Sequence, residues 1–286
     1  YEGAIGTSIA KVFDMTVAAS GLPAKRLKQA GIDYLSATIH SGSHAGYYPD
    51  ALQMSIKITF SPADGKLLGA QIVGYSGVDK RIDEFSQVIK HSGTVYDLMA
   101  LEQAYAPPFS SAKDPVAVTG YVAGNILNGK MQPLYWRELQ AADWSKVTLV
   151  DVRTPDEFAL GALKGAVNIP LDDMRDRMKE IPRDKPVYLY CGVGLRGYLA
   201  SNILLQNGYQ EVKNLIGGLK LYKAATTPLP EPKEFSNYGS SSSDSSKVDH
   251  SEHSKDSAEA YTIASSVIPS MRAIKVDACG ISCPGP

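Results

Sequence analysis

The chain has 286 residues, of which 44% are apolar and 21% charged, and its formal net charge is −1. This length predicts two or three domains, and the near-zero charge gives no reason to expect binding to nucleic acid or to an anionic membrane. No apolar run approaches the roughly 20 residues that span a bilayer. Three cysteines are too few for a disulfide framework, so a reducing, cytoplasmic compartment is expected.

The first part of the chain, residues 1–129, is predicted to be an α+β domain. The apolar spacing over residues 7–21, with Ser and Thr at its start and Gly at its end, predicts a helix. Strands are predicted at residues 34–40, 52–60 and 67–75, and helices at 79–91 and 116–127. A hairpin turn at residues 63–66 joins two of these strands, which predicts an antiparallel sheet.

The second part, residues 130–227, is predicted to be an α/β domain with a parallel sheet. Buried strands at residues 147–152 and 187–190 alternate with helical patterns at 174–180 and 197–206. Asp151 and Cys191 both follow the carboxyl end of a strand, where sheets of this class bind ligands.

The rest of the chain divides into a linker and a short final segment. Residues 228–262 are rich in Ser, Pro and charged residues, which predicts a disordered linker. His250 and His253 lie in it without a third ligand, so a solvated linker is favoured over a metal site. Residues 263–286 are expected to open a further domain, and within them residues 274–286 start like a strand leading into a loop. The chain starts without Met, and we expect it to be part of a longer protein.

Cys191 is the foremost candidate for a catalytic residue. It follows an apolar strand and precedes a short glycine-bearing loop, an arginine and a helix. Such a loop directs backbone N–H groups toward an anion, and the helix N-terminus adds positive potential, so a nucleophilic thiolate is expected. A cysteine that only fills the core would have apolar residues after it. The predicted anion-binding loop comprises Gly192, Val193, Gly194, Leu195, Arg196 and Gly197.

The segments 149–158, 165–170 and 215–219 complete a pattern that resembles the rhodanese sulfurtransferase domain over residues 133–225. Ala162 and Tyr222 depart from residues that are frequent in that family, at positions that look structural. The resemblance implies that Cys191 carries sulfane sulfur as a persulfide, taken from small compounds such as thiosulfate or the persulfides of coenzyme A or glutathione. Arg196 would add charge or close the loop.

Two alternatives to sulfur transfer remain open. A cysteine phosphatase or arsenate-reducing site uses a similar loop, but phosphatases of this fold have one more residue between cysteine and arginine. Four residues intervene here, which favours sulfur over phosphate. The domain could instead be a catalytically inert recognition module.

Tyr47 and Tyr105 lie in aromatic loops of the first part, within residues 44–49 and 105–115. Loop tyrosines often serve only packing or turn structure. With residues 6–13, however, the second of these segments resembles the dimerisation domain of flavin-dependent pyridine-nucleotide disulfide reductases, in the branch of coenzyme A-disulfide reductase and NAD(P)H persulfide reductase. The resemblance implies a homodimer through residues 1–129. It also implies that both hydroxyls reach the partner subunit's active site and bond to a thiolate or a mixed disulfide with coenzyme A.

The same resemblance implies FAD, NAD(P)H and coenzyme A as ligands of the longer protein, with tight binding of none of them expected for this chain alone. The end of the sequence, from Cys279 to Pro286, resembles the opening of a TusA/SirA-type sulfur carrier, whose persulfide cysteine corresponds to Cys283. A zinc half-site is a weaker reading because no second cysteine pair appears. The sequence thus predicts a sulfur-redox enzyme that couples disulfide or persulfide reduction to sulfurtransfer.

Overall fold

The computed structural model of the protein describes residues 3–228. The final predicted segment and nearly all of the predicted linker therefore lie outside the described residues. This applies to the candidate carrier cysteine Cys283, to Cys279 and to both linker histidines.

The first sheet is antiparallel throughout, which confirms the predicted α+β class. Its strand order is β1-β2-β5-β4-β3. The strands are β1 Ser8–Val12, β2 Met15–Gly21, β3 Leu35–Gly42, β4 Gln53–Phe60 and β5 Leu67–Gly74.

The predicted helix over residues 7–21 is wrong, because this segment forms the β1–β2 hairpin. Val12 pairs with Met15, and the turn between them places Phe13 in the left-handed region with φ 53°. A short apolar run fits a helical and a strand period equally well. This segment forms strands because β2 pairs with a strand that is distant in the sequence: Val17 of β2 lies opposite Val73 of β5.

Four helices accompany this sheet: α1 Ala24–Gln29, α2 Val78–Lys90, α3 Val95–Ala100 and α4 Pro115–Leu127. The helices predicted at 79–91 and 116–127 correspond to α2 and α4. The two helices contribute to one core with the sheet, in which Ile56, Ile72 and Phe85 are fully buried. Asp114 caps α4 by accepting a hydrogen bond from the Val116 N–H.

The second sheet is parallel, as predicted, with order β6-β10-β9-β7-β8. Its strands are β6 Gln132–Leu134, β7 Thr148–Asp151, β8 Val167–Asn168, β9 Val187–Tyr190 and β10 Val212–Leu215. Its helices are α5 Trp136–Ala141, α6 Pro155–Ala159, α7 Met174–Arg177, α8 Leu195–Gln206 and α9 Gly218–Thr226, with 3₁₀ turns at Leu171–Asp173 and Met178–Glu180. All four residues of β9 are buried, which fits a central strand covered on both faces.

We call the parts built on these two sheets the antiparallel domain and the parallel domain. They pack together within one compact unit, residues 1–223. The Tyr135 hydroxyl donates a hydrogen bond to the Ser36 carbonyl and accepts one from the Ser36 N–H, at 3.1 and 3.2 Å. Ile216 of the parallel domain joins the core of the antiparallel domain. None of the helices within residues 3–228 combines the length and the hydropathy needed to cross a membrane.

Candidate active site

Cys191 lies directly after β9, at the carboxyl end of the parallel sheet. Its side chain is 1% exposed, and its Sγ accepts a hydrogen bond from the Gly194 N–H at 3.1 Å. Gly194 has a φ of 120°, which a residue with a side chain rarely adopts, and it precedes α8. The glycine therefore allows the chain to turn back over the sulfur before the helix begins.

The loop after Cys191 offers unused hydrogen-bond donors. Within residues 3–228, no hydrogen bond is donated by the backbone N–H of Gly192, Val193 or Leu195. Leu195 is the first residue of α8, where such N–H groups have no helical acceptor. Together with the helix N-terminus, these groups form a surrounding suited to a sulfur anion.

Arg196 is held at the end of this loop by Glu157. The guanidinium makes a bidentate ion pair with both carboxylate oxygens, at 2.6 and 2.7 Å. Arg196 lowers the pKa of Glu157 to about 2. Glu157 in turn raises the pKa of Arg196, and Cys191 acts in the same direction. The guanidinium is therefore a fixed positive charge beside the sulfur.

Glu157 has a second role at the start of α6. Its carboxylate accepts a hydrogen bond from the Thr154 N–H, while its own N–H donates to the Thr154 hydroxyl. This reciprocal capping box fixes the position of the Glu157 carboxylate that binds Arg196. Helix α6 thus supports the Cys191 loop from a distant part of the sequence.

Helix α9 supports the loop from the other side. The Leu219 N–H donates to the Cys191 carbonyl at 2.8 Å, and the Lys220 N–H donates to the Gly192 carbonyl at 3.0 Å. Gly218 packs so closely that an added Cβ would lie 2.6 Å from three backbone atoms of the loop. These contacts fix the loop backbone with its carbonyls turned toward α9.

Gly192, Gly194 and Gly197 also have the G-x-G-x-x-G spacing of dinucleotide sites, between a strand and a helix. The spacing alone does not identify a dinucleotide site. Here the Gly194 N–H is taken by the Cys191 sulfur. No acidic residue ends the next strand, β10, where such a site needs one for the ribose. The loop fits one small anion at Cys191 better than it fits FAD or NAD(P)H.

Tyr47 and Tyr105 come together although they are 58 positions apart in the sequence. Their hydroxyl oxygens are 3.0 Å apart, within hydrogen-bond distance. Both rings are exposed, at 77% and 49%. The hydrogen bond to Tyr47 raises the pKa of Tyr105. The two predicted residues thus form one exposed pair of hydroxyls on the antiparallel domain.

A buried arginine holds the two tyrosine loops. Arg81 of α2 is 1% exposed and donates to both oxygens of Asp114, at 3.3 and 2.8 Å. It also donates to the Ser43 carbonyl at 2.9 Å and contacts the Ser110 hydroxyl at 3.4 Å. Ser43 lies shortly before Tyr47, and Ser110 shortly after Tyr105, so one guanidinium links both loops.

The predicted residues therefore form two separate groups in the described structure. Cys191 and the loop Gly192–Gly197 lie on the parallel domain, and the tyrosine pair lies on the antiparallel domain. No hydrogen bond within residues 3–228 joins the two groups. Cys283 falls outside the described residues. Within the described part, no group of three or more His, Cys, Asp or Glu side chains is placed to hold a metal ion.

Three structurally important residues received no role from the sequence: Glu157, Gly218 and Arg81. Glu157 carried a usable signal, because Thr154 and Glu157 have the spacing of a capping box. Gly218 belongs to a recognised Gly-Gly segment, but its contact with the Cys191 loop is non-local. Arg81 carried no signal, since an arginine on an amphipathic helix is ordinarily solvent-exposed.

Comparison with known proteins agrees with these two domains. Residues 7–116 match the pyridine nucleotide-disulphide oxidoreductase dimerisation domain, and residues 135–225 match the rhodanese-like domain. A coenzyme A disulfide reductase of Staphylococcus haemolyticus (strain JCSC1435) is 40% identical over 126 residues, covering 44% of this chain and 28% of that protein.

Two solved structures resemble both domains. The reduced Bacillus anthracis CoADR-RHD is 49% identical with a TM-score of 0.76, over 78% of this chain and 40% of that one. A NAD-dependent persulfide reductase from A. fulgidus is 37% identical with a TM-score of 0.69, over 76% and 39%. The chain spans less than half the length of these relatives. It contains a dimerisation domain of the disulphide oxidoreductase type followed by a rhodanese-like domain.

Proposed function

We propose that the parallel domain is a sulfurtransferase in which Cys191 carries sulfane sulfur as a persulfide. The observation that supports this most directly is the setting of the Cys191 sulfur. The sulfur accepts a hydrogen bond from the Gly194 N–H and lies beside the positive charge of Arg196. The loop that follows Cys191 has further backbone N–H groups that donate no hydrogen bond within residues 3–228. Such groups stabilise a thiolate and the persulfide anion that replaces it.

The proposed reaction has two displacement steps. The Cys191 thiolate attacks the sulfane sulfur of thiosulfate, the sulfur–sulfur bond of thiosulfate breaks, and sulfite leaves with the electron pair. A nucleophilic acceptor, cyanide or a thiolate, then attacks the outer sulfur of the Cys191 persulfide, and the Cys191 thiolate leaves. Arg196 and the loop N–H groups stabilise the negative charge at the sulfur in both steps. One sulfur atom is transferred, and no external oxidant or reductant is needed.

We infer that the longer protein is a cytoplasmic homodimeric flavoenzyme that reduces coenzyme A disulfide, coenzyme A persulfide or polysulfide. Residues 1–129 would form the dimer contact. FAD and NAD(P)H, held by other parts of that protein, would supply the reducing electrons. The similarity to coenzyme A disulfide reductase and to the persulfide reductase supports this proposal. The paired hydroxyls of Tyr47 and Tyr105 are suited to donate hydrogen bonds to a thiolate of the substrate.

Cys283 is proposed as a further carrier of sulfur in the same relay. A flexible linker of about thirty residues would have a root-mean-square span of about 30 Å. Residues 228–262 would act as the linker and 263–286 as the start of the carrier domain. The tether would allow Cys283 to reach the Cys191 persulfide.

Three single variants, Cys191→Ser, Cys279→Ser and Cys283→Ser, test the sulfurtransferase proposal in a thiosulfate–cyanide assay. We expect Cys191→Ser to lose at least about 1,000-fold in turnover, because a hydroxyl is not ionised and does not form the persulfide. The other two variants are matched controls and should retain turnover with these small substrates. Equal activity of Cys191→Ser and the unmodified chain would refute the proposal.

The alternative of an inert recognition module is supported by the burial of Cys191, which limits access to its sulfur. Intact-mass measurement after thiosulfate treatment distinguishes the two functions. A sulfurtransferase gains the mass of one sulfur atom, and the gain disappears in Cys191→Ser. An inert module gains no mass under the same conditions.

A further inference from the structure

A buried asparagine lies beside the Cys191 loop, on the strand next to the one that carries the cysteine. Asn214 belongs to β10, pairs in register with Leu189 of β9 and is 2% exposed. Its side-chain amide donates a hydrogen bond to the Gly194 carbonyl at 3.0 Å and contacts the Met131 sulfur at 3.3 Å. A side chain from outside the loop therefore fixes one of the loop carbonyls.

This position is unfavourable for a polar side chain. The Oδ1 atom of Asn214 is buried and has no hydrogen-bond partner within residues 3–228. A buried amide oxygen without a partner destabilises the fold, and an apolar side chain of the same shape would avoid that cost. Gly197 of α8 leaves space for the amide, since an added Cβ at that residue would overlap Oδ1. Packing alone would favour a leucine at residue 214, so the amide needs another explanation.

The carbonyl that Asn214 holds belongs to the same peptide group as the N–H of Leu195. This peptide bond is trans, as are all those of the described residues, so the Leu195 N–H points opposite to the Gly194 carbonyl. The Leu195 N–H is one of the unused donors of the loop within residues 3–228. Asn214 thus sets the direction of this donor, which points away from β10.

The backbone of Gly194 brings this donor to the side of the loop where the sulfur lies. Gly194 has a φ of 120° and a ψ of −28°, which places its own nitrogen and that of Leu195 close together. Successive N–H groups in such a turn converge on one anion. The Gly194 N–H already donates to the Cys191 Sγ at 3.1 Å. The Leu195 N–H is therefore placed to meet negative charge on Sγ or on a sulfur bound to it.

We propose that Asn214 is a positioning residue for the sulfur chemistry at Cys191. Its amide holds the peptide between Gly194 and Leu195 so that the Leu195 N–H stabilises the thiolate and the outer sulfur of the persulfide. Asn214 acts only through this peptide and does not touch the reacting sulfur. The inference rests on the proposed sulfurtransferase function, to which it adds a residue outside the Cys191 loop.

The hydrogen bonds at the Gly194 carbonyl separate positioning from folding. The Tyr198 N–H also donates to this carbonyl, at 3.0 Å, as part of the first turn of α8. Without the Asn214 amide the carbonyl therefore keeps a partner, and the loop stays folded. What is lost is the second bond, which restrains the direction of the peptide and polarises its N–H.

Asn214→Leu tests the proposal, because leucine has nearly the same shape and removes the amide. The test uses the whole chain with Cys279→Ser and Cys283→Ser, so that Cys191 is the only cysteine. We expect kcat/KM in the thiosulfate–cyanide assay to fall at least about tenfold. The pH at which alkylation of Cys191 by iodoacetamide reaches half its maximal rate should rise by about 0.5 unit or more, because the thiolate loses an oriented donor.

Asn202→Leu in the same background is the matched control. Asn202 lies on α8, and its amide donates to the Tyr198 carbonyl within that helix. The same substitution there should change neither kcat/KM nor the pH dependence of alkylation. A rise in the alkylation midpoint equal to that of Asn214→Leu would show that loss of any nearby amide has this effect, and would overturn the proposal.

Urea unfolding shows whether Asn214 serves stability alone. The unfolding midpoint of Asn214→Leu should equal or exceed that of the parent chain, because the unpartnered Oδ1 is gone. A raised alkylation midpoint in a variant of undiminished stability supports the proposal, and an unchanged alkylation midpoint overturns it at any stability. Alkylation needs no sulfur transfer, so this result stands apart from the turnover of Cys191→Ser, which tests the sulfurtransferase function itself.

Discussion

At the scale of single residues, Gly218 packs against the Cys191 loop with no space for a side chain. It combines a positive φ of 59° with the absence of space for a side chain, because an added Cβ would meet the Cys191 carbonyl oxygen at 2.6 Å. Gly129 has a similar φ, 68°, but nothing within 4 Å of an added Cβ. A substitution at Gly129 therefore measures backbone strain alone, whereas a substitution at Gly218 measures backbone strain together with displacement of the Cys191 loop.

We expect Gly129→Ala to cost about 1 kcal/mol of unfolding free energy, the usual penalty for an L-residue in the left-handed region. Gly218→Ala should cost more than this and should reduce thiosulfate–cyanide turnover by at least about 10-fold, because the loop must move to accommodate the methyl group. Urea unfolding and the turnover assay measure the two effects. Equal behaviour of the two variants would contradict a direct role of Gly218 in shaping the loop.

The sequence predicted Cys191 and Arg196 because both belong to one local strand–loop–helix pattern. It did not predict how Gly218 and Glu157 support them, because those contacts join distant segments. The tyrosine pair was predicted only in part. Tyr47 and Tyr105 were selected by family resemblance, and the 3.0 Å contact between their hydroxyls appears only in the folded chain.

At the scale of elements, the main error was the β1–β2 hairpin, which the sequence analysis assigned to a helix. The longer helices α2 and α4 were predicted because their apolar periods extend over 13 residues each. The short segment before β2 has no such length, and its strand state depends on pairing with β5. Tertiary pairing therefore decided the structure where the local period was ambiguous.

The element that organises the tyrosine loops is α2, through Arg81. Arg81→Met should lower the unfolding free energy by about 3–5 kcal/mol, because it leaves the Asp114 carboxylate buried without its partner. The double variant Arg81→Met with Asp114→Asn should recover much of this loss, since Asn removes the charge and still caps α4. Urea unfolding of the single and double variants measures this coupling.

Lys90→Met serves as the control for this set, because Lys90 is exposed on the same helix and should change the unfolding free energy by less than about 0.5 kcal/mol. If the double variant is as unstable as the sum of its single variants, the charge pair is not the origin of the effect. In that case the loss would come from packing around the arginine stem.

At the scale of the whole molecule, the polar face of the antiparallel sheet shows where the strand pattern was insufficient. The alternating pattern over residues 34–40 is typical of a half-buried strand. The structure instead buries Ser36 and Thr38, and the Tyr135 hydroxyl of the parallel domain bonds to the Ser36 backbone. Apolar and polar residues alternate along this strand as they would in a strand with one face in water. The alternation therefore could not predict that a second domain buries the polar face.

This covering makes the stability of the unit depend on pH through His40. Burial, and then the charge of Lys220, lowers the pKa of His40 from 6.5 to about 4. Between these values the unfolded chain binds a proton that the folded chain excludes, so the unfolding free energy should fall as pH decreases from about 6.5 toward about 4. Above pH 6.5 both states are neutral at this residue, and His40 contributes no pH dependence.

Urea unfolding of the unmodified chain, His40→Gln and His91→Gln between pH 5 and pH 7.5 tests this expectation. His40→Gln cannot take up the proton and should flatten the decrease below pH 6.5. His91→Gln changes an exposed histidine at the end of α2 and should preserve it. The acid loss from Glu157 falls in a lower window, because its lowered pKa of about 2 affects stability only below the ordinary range of a glutamate near 4.5. An unchanged slope in His40→Gln would show that the interface accommodates a protonated imidazole, and would place the pH dependence at another group.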